Sequence, residues 1–184
     1  MRMIVIFVVS FFTINRVEAQ IGRFVNQTEI GFLTGKIEYP YFSIRSFNGI
    51  RFKNVPLETG VAVGVDSYSP IIITPVTLSL LWNPLQTKGV SPYFSFDMGY
   101  GFDWLQPKSE GKSYSGGYLL SPSAGIRIKT NSNYKFILNL SYKHQEASVS
   151  KGLNFSSFDT SNYWSYLSDN YTYKRLFISL GLSF

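Results

Sequence analysis

The sequence predicts an all-β fold: an eight-stranded, antiparallel, up-and-down transmembrane β-barrel preceded by a cleavable signal peptide. Three observations carry the expectation. In the stretch 173–184, Leu176, Ile178, Leu180, Leu182 and Phe184 share one face, and Arg175, Phe177, Ser179, Gly181 and Ser183 share the other, because strand side chains alternate with period two. Seven earlier segments carry strand patterning, and none beyond the N-terminal apolar run has helical periodicity. The N-terminus itself has the layout of an export signal. A strand apolar on one face to its last aromatic, and small or polar on the other, is what lipid outside and a polar lumen inside require.

The signal comes first. Arg2 supplies a positive start, Ile4 to Ile14 an apolar run of eleven residues, and Val17-Glu18-Ala19 the modest side chains that precede a cleavage site before Gln20. That run is too short to span a bilayer as a helix. The expected organisation is a signal peptide at 1–19 and one barrel domain at 20–184. There are no cysteines, which excludes lipidation at the cleavage site, a disulfide framework and thiolate metal sites. After the signal nothing approaches eighteen consecutive apolar residues, so no transmembrane helix is expected. The net charge of +6 comes from scattered Lys and Arg without a basic run. A nucleic-acid partner, which needs a basic patch or stripe, is therefore not expected, and a mild attraction to anionic headgroups is.

The eight expected strands lie at 26–36, 41–52, 57–67, 71–82, 91–105, 116–129, 134–145 and 173–184. The first places Glu29 and Gly31 inward. The second mixes Arg45, Phe47 and Arg51 on one face with Ser46 and Asn48 on the other. The third sets Thr59, Val61, Val63 and Val65 against Glu58, Gly60, Ala62, Gly64 and Asp66, and the fourth sets Val76, Leu78, Leu80 and Trp82 against Thr77, Ser79 and Leu81. The fifth is the clearest: Phe94, Phe96, Met98, Tyr100, Phe102 and Trp104 alternate with Ser95, Asp97, Gly99, Gly101 and Asp103. Its aspartates suit a polar lumen and would be poor in a dry core. In the sixth, Tyr118, Leu120, Ala124, Ile126 and Ile128 oppose Gly117, Ser121, Ser123, Gly125 and Arg127. In the seventh, Phe136, Leu138, Leu140 and Tyr142 oppose Ile137, Asn139, Ser141 and Lys143. Frequent inner-face glycines leave room beside long charged side chains in an interior as narrow as eight strands enclose. Short turns at 53–55, 83–90 and 130–133 alternate with longer connections at 106–115 and 144–172.

The mature chain resembles the small eight-stranded outer-membrane β-barrels of Gram-negative bacteria, the OmpA/OmpX-like group. The residues that carry this are the signal ending in Val17-Glu18-Ala19, the strand Ser91 to Phe102, the strand Leu120 to Arg127 and the terminal Leu180-Gly-Leu-Ser-Phe184. The resemblance implies an outer-membrane location, periplasmic termini, outer-membrane lipid as surroundings, and a C-terminal Phe184 presented to the barrel-assembly machinery. It carries no catalytic motif, and a fold does not give a function.

Alternation points Glu29, Glu58, Asp66, Asp97 and Asp103, with Arg45, Arg51, Arg127, Lys143 and Arg175, into the lumen. Both signs occur in equal number, so the expectation is a paired charge network that plugs the barrel, with a thin gated ion path as the rival. Trp82, Phe94, Tyr100, Trp104, Tyr142, Trp164 and Phe184 form the expected lipid-facing aromatic girdle. His144, the only histidine, shares a face with Glu146 and Ser148. That is the lipid side, and the spacing of outer-membrane lipid hydrolases is missing, so no catalytic residue, metal site or cofactor is expected. The Tyr-rich segment 145–172 reads as a loop for an extracellular partner or as part of the girdle, and a hairpin there, making ten strands, stays open. The expected role is structural or surface-interacting. The alternatives are a narrow ion or solute channel and a soluble periplasmic lipocalin-like ligand-binding barrel.

Overall fold

The computed structural model describes residues 22–35, 40–68, 71–85, 89–107, 112–130, 133–154 and 164–184, and of 152–154 and 164–166 the backbone alone. The signal expected at 1–19 lies outside the described residues. The strands are β1 (Gly22–Thr34), β2 (Tyr41–Phe52), β3 (Leu57–Ser67), β4 (Ile72–Trp82), β5 (Val90–Phe102), β6 (Lys112–Ser115), β7 (Tyr118–Lys129), β8 (Lys135–Asn154) and β9 (Trp164–Ser183). The eight long strands pair antiparallel in chain order, and the pairing of β9 with both β8 and β1 closes them into a barrel. The short β6 prolongs the line of β7 along β8. Ser115 faces Ser148 and Leu119 faces Gln145, so one extra residue is absorbed at the Gly116-Gly117 step, in the manner of a bulge.

The closed barrel has the polarity of a globular protein turned inside out. Outward positions are large and apolar: Leu78 and Leu180 are 66% and 63% exposed. Inward positions are polar and sealed: Glu29, Glu58, Asp66 and Arg127 are each buried to within 1%. An exposed apolar surface with residues on each of the eight long strands is far larger than a monomer in water tolerates. Two apolar clusters also lie inside. Val25, Phe47, Ala62, Leu81, Tyr93 and Ile137 sit toward the end bearing the termini and short turns. Leu33, Tyr68, Ile71, Ile73, Ala147, Tyr173 and Phe177 close the opposite end.

The described parts of the segment 145–172, up to Asn154 and from Trp164 on, are strand where a long loop was expected. β8 and β9 each run twenty residues, and their ladder continues from Glu146 opposite Thr172 to Asn154 opposite Trp164. The flanks of the expected loop thus extend two existing strands and add no ninth or tenth barrel stave. The reason is a reversal of polarity. Below the pair His144–Lys174, the outward residues are Phe136, Leu138, Leu140 and Tyr142, with Leu176 and Ile178 beside them. Above it, outward positions become Glu146, Ser148 and Ser150, and the apolar Ala147, Val149 and Tyr173 turn inward and are buried. Alternation persists while its sign flips, which is what a strand does on leaving hydrocarbon for water.

The reversal makes a prediction about insertion energy. Leu138→Arg, inside the apolar belt, is expected to destabilise the barrel by about 2–4 kcal/mol. Ser148→Arg, above the reversal, is expected to change stability by no more than about 0.5 kcal/mol. Urea unfolding in lipid vesicles measures both, and equal costs would contradict the assigned boundary.

Candidate functional site: the polar lumen

Glu29 is the most connected side chain of the interior. It sits on β1, opposite Arg45 of β2 and Gly181 of β9, at the seam where the barrel closes. Its carboxylate accepts four hydrogen bonds: from Gln27 Nε2 at 2.7 Å, Arg45 Nη1 at 3.0 Å, Asn139 Nδ2 at 2.9 Å and Ser179 Oγ at 2.6 Å. Those donors come from β1, β2, β8 and β9, so one carboxylate ties together the strands on both sides of the seam. The missing side chain at Gly181 makes this approach possible, since a Cβ there would lie 2.9 Å from Glu29 Cγ. Arg45 reaches across the lumen to Asp97 of β5 in a two-pronged bond, Nε to Oδ2 at 2.9 Å and Nη2 to Oδ1 at 2.8 Å. Forked geometry of this kind holds a guanidinium more firmly than a single contact does.

A second layer lies nearer the termini. Arg127 of β7 grips Glu58 of β3 with Nη1 to Oε1 at 2.7 Å and Nη2 to Oε2 at 2.8 Å, and also donates to Gln27 Oε1 at 2.7 Å. Arg51 adds a contact to Glu58 at 2.6 Å. The Arg127 guanidinium lies 4.9 Å over the Tyr93 ring, and Tyr93 accepts from Gln27 Nε2 at 3.1 Å. The ring has room because residue 125 is glycine: a Cβ there would stand 2.6 Å from two Tyr93 ring carbons.

A third layer lies toward the long hairpin. Lys143 Nζ donates to both oxygens of Asp66 at 2.7 and 2.9 Å, and to Ser43 Oγ at 3.1 Å, while it rests 4.5 Å over the Phe177 ring. Tyr68, just beyond β3, donates to Asp66 Oδ2 at 3.3 Å and stacks on Tyr173 with ring centres 4.4 Å apart. Burial, with the Asp66 carboxylate beside it, holds the Tyr68 hydroxyl well above its ordinary pKa, so it stays protonated and able to donate. Between the middle and outer layers is a narrow gap where Arg45, Asp97 and Lys143 meet the apolar Ala62, Pro75 and Leu119.

Eight of the ten expected lumen charges therefore meet, with the carboxylates of Glu29, Glu58, Asp66 and Asp97 balancing the cations of Arg45, Arg51, Arg127 and Lys143. Two do not join them. Asp103 lies in the half-exposed turn after β5, because the ladders to β4 and β7 run out at Phe102 and Tyr100, and its carbonyl accepts from the Gln106 amide. Arg175, opposite Lys143 on the β8–β9 ladder, donates to the Lys174 carbonyl at 3.5 Å; among the described residues it has no carboxylate partner. Alternation also puts Gln27, Asn139 and Ser179 inward; Gln27 adjoins Glu29 on the same face of β1, while only the register across the closed seam brings Asn139 and Ser179 to it.

The girdle residues fall in two bands. Trp82 stacks on Phe94 at 5.9 Å near the terminal end, with Phe184 exposed beside them in height. Tyr100, Tyr142 and Trp104 are exposed near the other end, with Trp104 in the turn after β5 and stacked on Phe102 at 4.3 Å. The backbone of Trp164 opens β9; its side chain lies outside the described residues. His144, Glu146 and Ser148 all face outward, and among the described residues no hydrogen bond joins them. The described residues hold no cluster of His, Cys, Asp and Glu suited to a metal ion.

Glu29→Ala is expected to destabilise the barrel by about 3–5 kcal/mol, because it strips Arg45 of one buried partner and orphans three further donors. Gly125→Val is expected to cost about 1–3 kcal/mol by driving Tyr93 from under Arg127. Glu146→Ala, outward and exposed, serves as the silent control. Reversible unfolding in lipid vesicles checks all three, and a Glu29→Ala protein as stable as the control would contradict the seam role.

No protein-family model matches the chain, and no curated protein matches it. Solved structures do. The N-terminal β-barrel domain of OprF from Pseudomonas aeruginosa superposes with a TM-score of 0.52 at 14% identity, covering 90% of this chain and all of that one. The outer membrane protein OprG from Pseudomonas aeruginosa superposes with a TM-score of 0.52 at 14% identity, covering 89% of this chain and 96% of that one. The fold of this chain is thus the closed eight-stranded antiparallel barrel also found in those outer-membrane proteins.

Proposed function

We propose that the chain is an integral outer-membrane protein with a structural or surface-interacting role, its barrel anchored in lipid and its lumen shut. The observation that carries this reading is the pairing of apolar outside with saturated ionic inside. Along β5 the outward residues from Phe94 to Phe102 rise about 20 Å at a strand tilt near 40°, and Trp104 extends the band from the turn beyond, toward the roughly 25 Å of an outer-membrane apolar band. Within it, four buried carboxylates are neutralised by the buried Arg45, Arg127 and Lys143 and the half-buried Arg51, and apolar clusters pack inside toward each mouth. A conducting path needs sites that an ion can enter and leave, whereas these charges are committed to one another, Arg45–Asp97 and Arg127–Glu58 through two-pronged bonds. Small eight-stranded interiors are filled by side chains in the same way.

In this reading the termini and the short turns face the periplasm, and the extended β8–β9 hairpin rises on the outer side. Its outward Ser148, Ser150, Ser168 and Asn170 are polar and suit contact with an extracellular partner. The C-terminal strand would serve the assembly machinery during insertion. No cofactor and no catalytic step is part of this reading.

Refolding into planar bilayers tests it. The expected record is insertion without unitary current steps. Stepwise conductance would replace the closed barrel with a narrow channel, and a chain that stays soluble without detergent would remove the membrane reading altogether.

A further inference from the structure

The apolar belt has one interruption. On β1 and β2 the outward positions Asn26, Thr28, Ser46 and Asn48 are polar, and the ladder sets Asn26 opposite Asn48 and Thr28 opposite Ser46. The four are bonded in a line. Asn26 Nδ2 donates to Asn48 Oδ1 at 2.7 Å, Thr28 Oγ1 donates to Asn26 Oδ1 at 3.3 Å, and the Thr28 and Ser46 hydroxyls share a bond of 3.2 Å. The island is inside the belt. Phe24 lies toward the terminal end, Ile30 and Ile44 toward the other, and Leu182 and Val63 flank it on β9 and β3, all exposed.

For a barrel standing alone, this island faces hydrocarbon. The bonds within it leave the Asn48 amide hydrogens with no acceptor among the described residues. Lipid tails offer none, and unmet donors in hydrocarbon are strongly unfavourable. The shape of the wall is a second, separate observation. Next to the island β3 presents the short Val61 and Val63, while the far side of the barrel presents Phe96, Met98 and Tyr118. Phe24 lies below the island and Phe32 and Phe42 above it, so the smooth surface is the patch of Asn26, Thr28, Ser46, Asn48, Val61 and Val63 itself, and small residues are what let two membrane segments approach closely.

We propose that the β1–β3 wall is the contact surface for a second copy of this chain in the same membrane. A two-fold axis along the membrane normal sets every residue at the depth of its own equivalent in the partner, and such an interface must be self-complementary. Asn, Ser and Thr meet that condition, because each both donates and accepts. The free Asn48 amide hydrogens of one copy then find amide or hydroxyl oxygens of the other at matching depth. A lipid tail has no acceptor to offer. The inference rests on the membrane reading above.

Dilution of fluorescently labelled protein in lipid bilayers, with subunits counted by photobleaching, tests the proposal. The intact chain is expected to give dimers that dissociate on lipid dilution. The double variant Asn26→Leu, Asn48→Leu is expected to dissociate about tenfold more readily. Val63→Phe, apolar and therefore tolerated by lipid, is expected to weaken association by blocking close approach, while Leu138→Phe on the far wall leaves it unchanged. The heat-dependent shift of gel mobility shows for each variant that the barrel is folded. Folded, inserted monomers of the intact chain would overturn the dimer and leave the membrane reading standing, and so would dimers indifferent to all the wall variants. A chain that does not insert would overturn both.

Discussion

The carboxylate of Glu29 occupies the position on which the rest of the barrel depends. A sheet becomes a barrel only when its first and last strands pair, and here that pairing runs directly beside Glu29. Backbone ladder bonds alone would leave a buried carboxylate to be solvated, and the lumen has little room for water. Donors from β1, β2, β8 and β9 take that task over. Arg45, drawn in by Glu29, carries the link across to Asp97 on β5. Gln27 hands it down to Arg127 and Glu58. The interior is therefore one connected polar network with apolar packing set into it. Buried charges of this kind stabilise little relative to a well-packed apolar core, yet losing one partner is expensive. That asymmetry favours register: sliding any strand by one residue would turn its charges outward into the apolar belt.

The second organising constraint is the solvent outside. Through the belt, hydrocarbon dictates apolar residues outward and the lumen takes polar ones. Above the His144–Lys174 pair the same two strands obey the opposite rule: Ala147 and Tyr173 pack inward with Tyr68 and Phe177, and Val149 is buried. A single hairpin thus belongs to two environments. Its upper part is held as a soluble β-protein is held, by an inner apolar face, and that packing caps the polar layers beneath it. The surface role proposed for the hairpin and the closure of the lumen have a common structural origin.

Much of this was legible in the sequence because alternation survives at every turn of the chain. The long unbroken patterns of β5 and β9 give strand, face and fold class together, and the eight-stranded barrel is the fold found. The partners within the lumen were not legible. Arg127 and Glu58 are 69 residues apart, and which inward charges share a height depends on the stagger of the closed sheet. Of the neutral partners, Gln27 stands two residues from Glu29 on the same face of β1, whereas Asn139 and Ser179 carry no local signal that separates them from other inward polar residues. Asp103 was placed inward by extending the β5 pattern past the last rung of its ladders. The upper hairpin was hidden because a search for apolar-out strands reads a sign reversal as irregularity; a search for either sign would have found Ala147 and Val149 alternating with Glu146, Ser148 and Ser150.

The central claim is that alternation changes sign at a membrane boundary, and spin-label accessibility along β8 measures it most directly. The chain has no cysteine, so single cysteines at successive positions from 136 to 150 can each carry one label in lipid vesicles. The account predicts that collisions with oxygen, which dissolves in lipid, are high at Leu138, Leu140 and Tyr142 and low at the inward positions between them. It further predicts that a water-soluble nickel complex takes over at Glu146, Ser148 and Ser150. A profile in which the water-soluble reagent reaches Leu138 and Leu140 would contradict it.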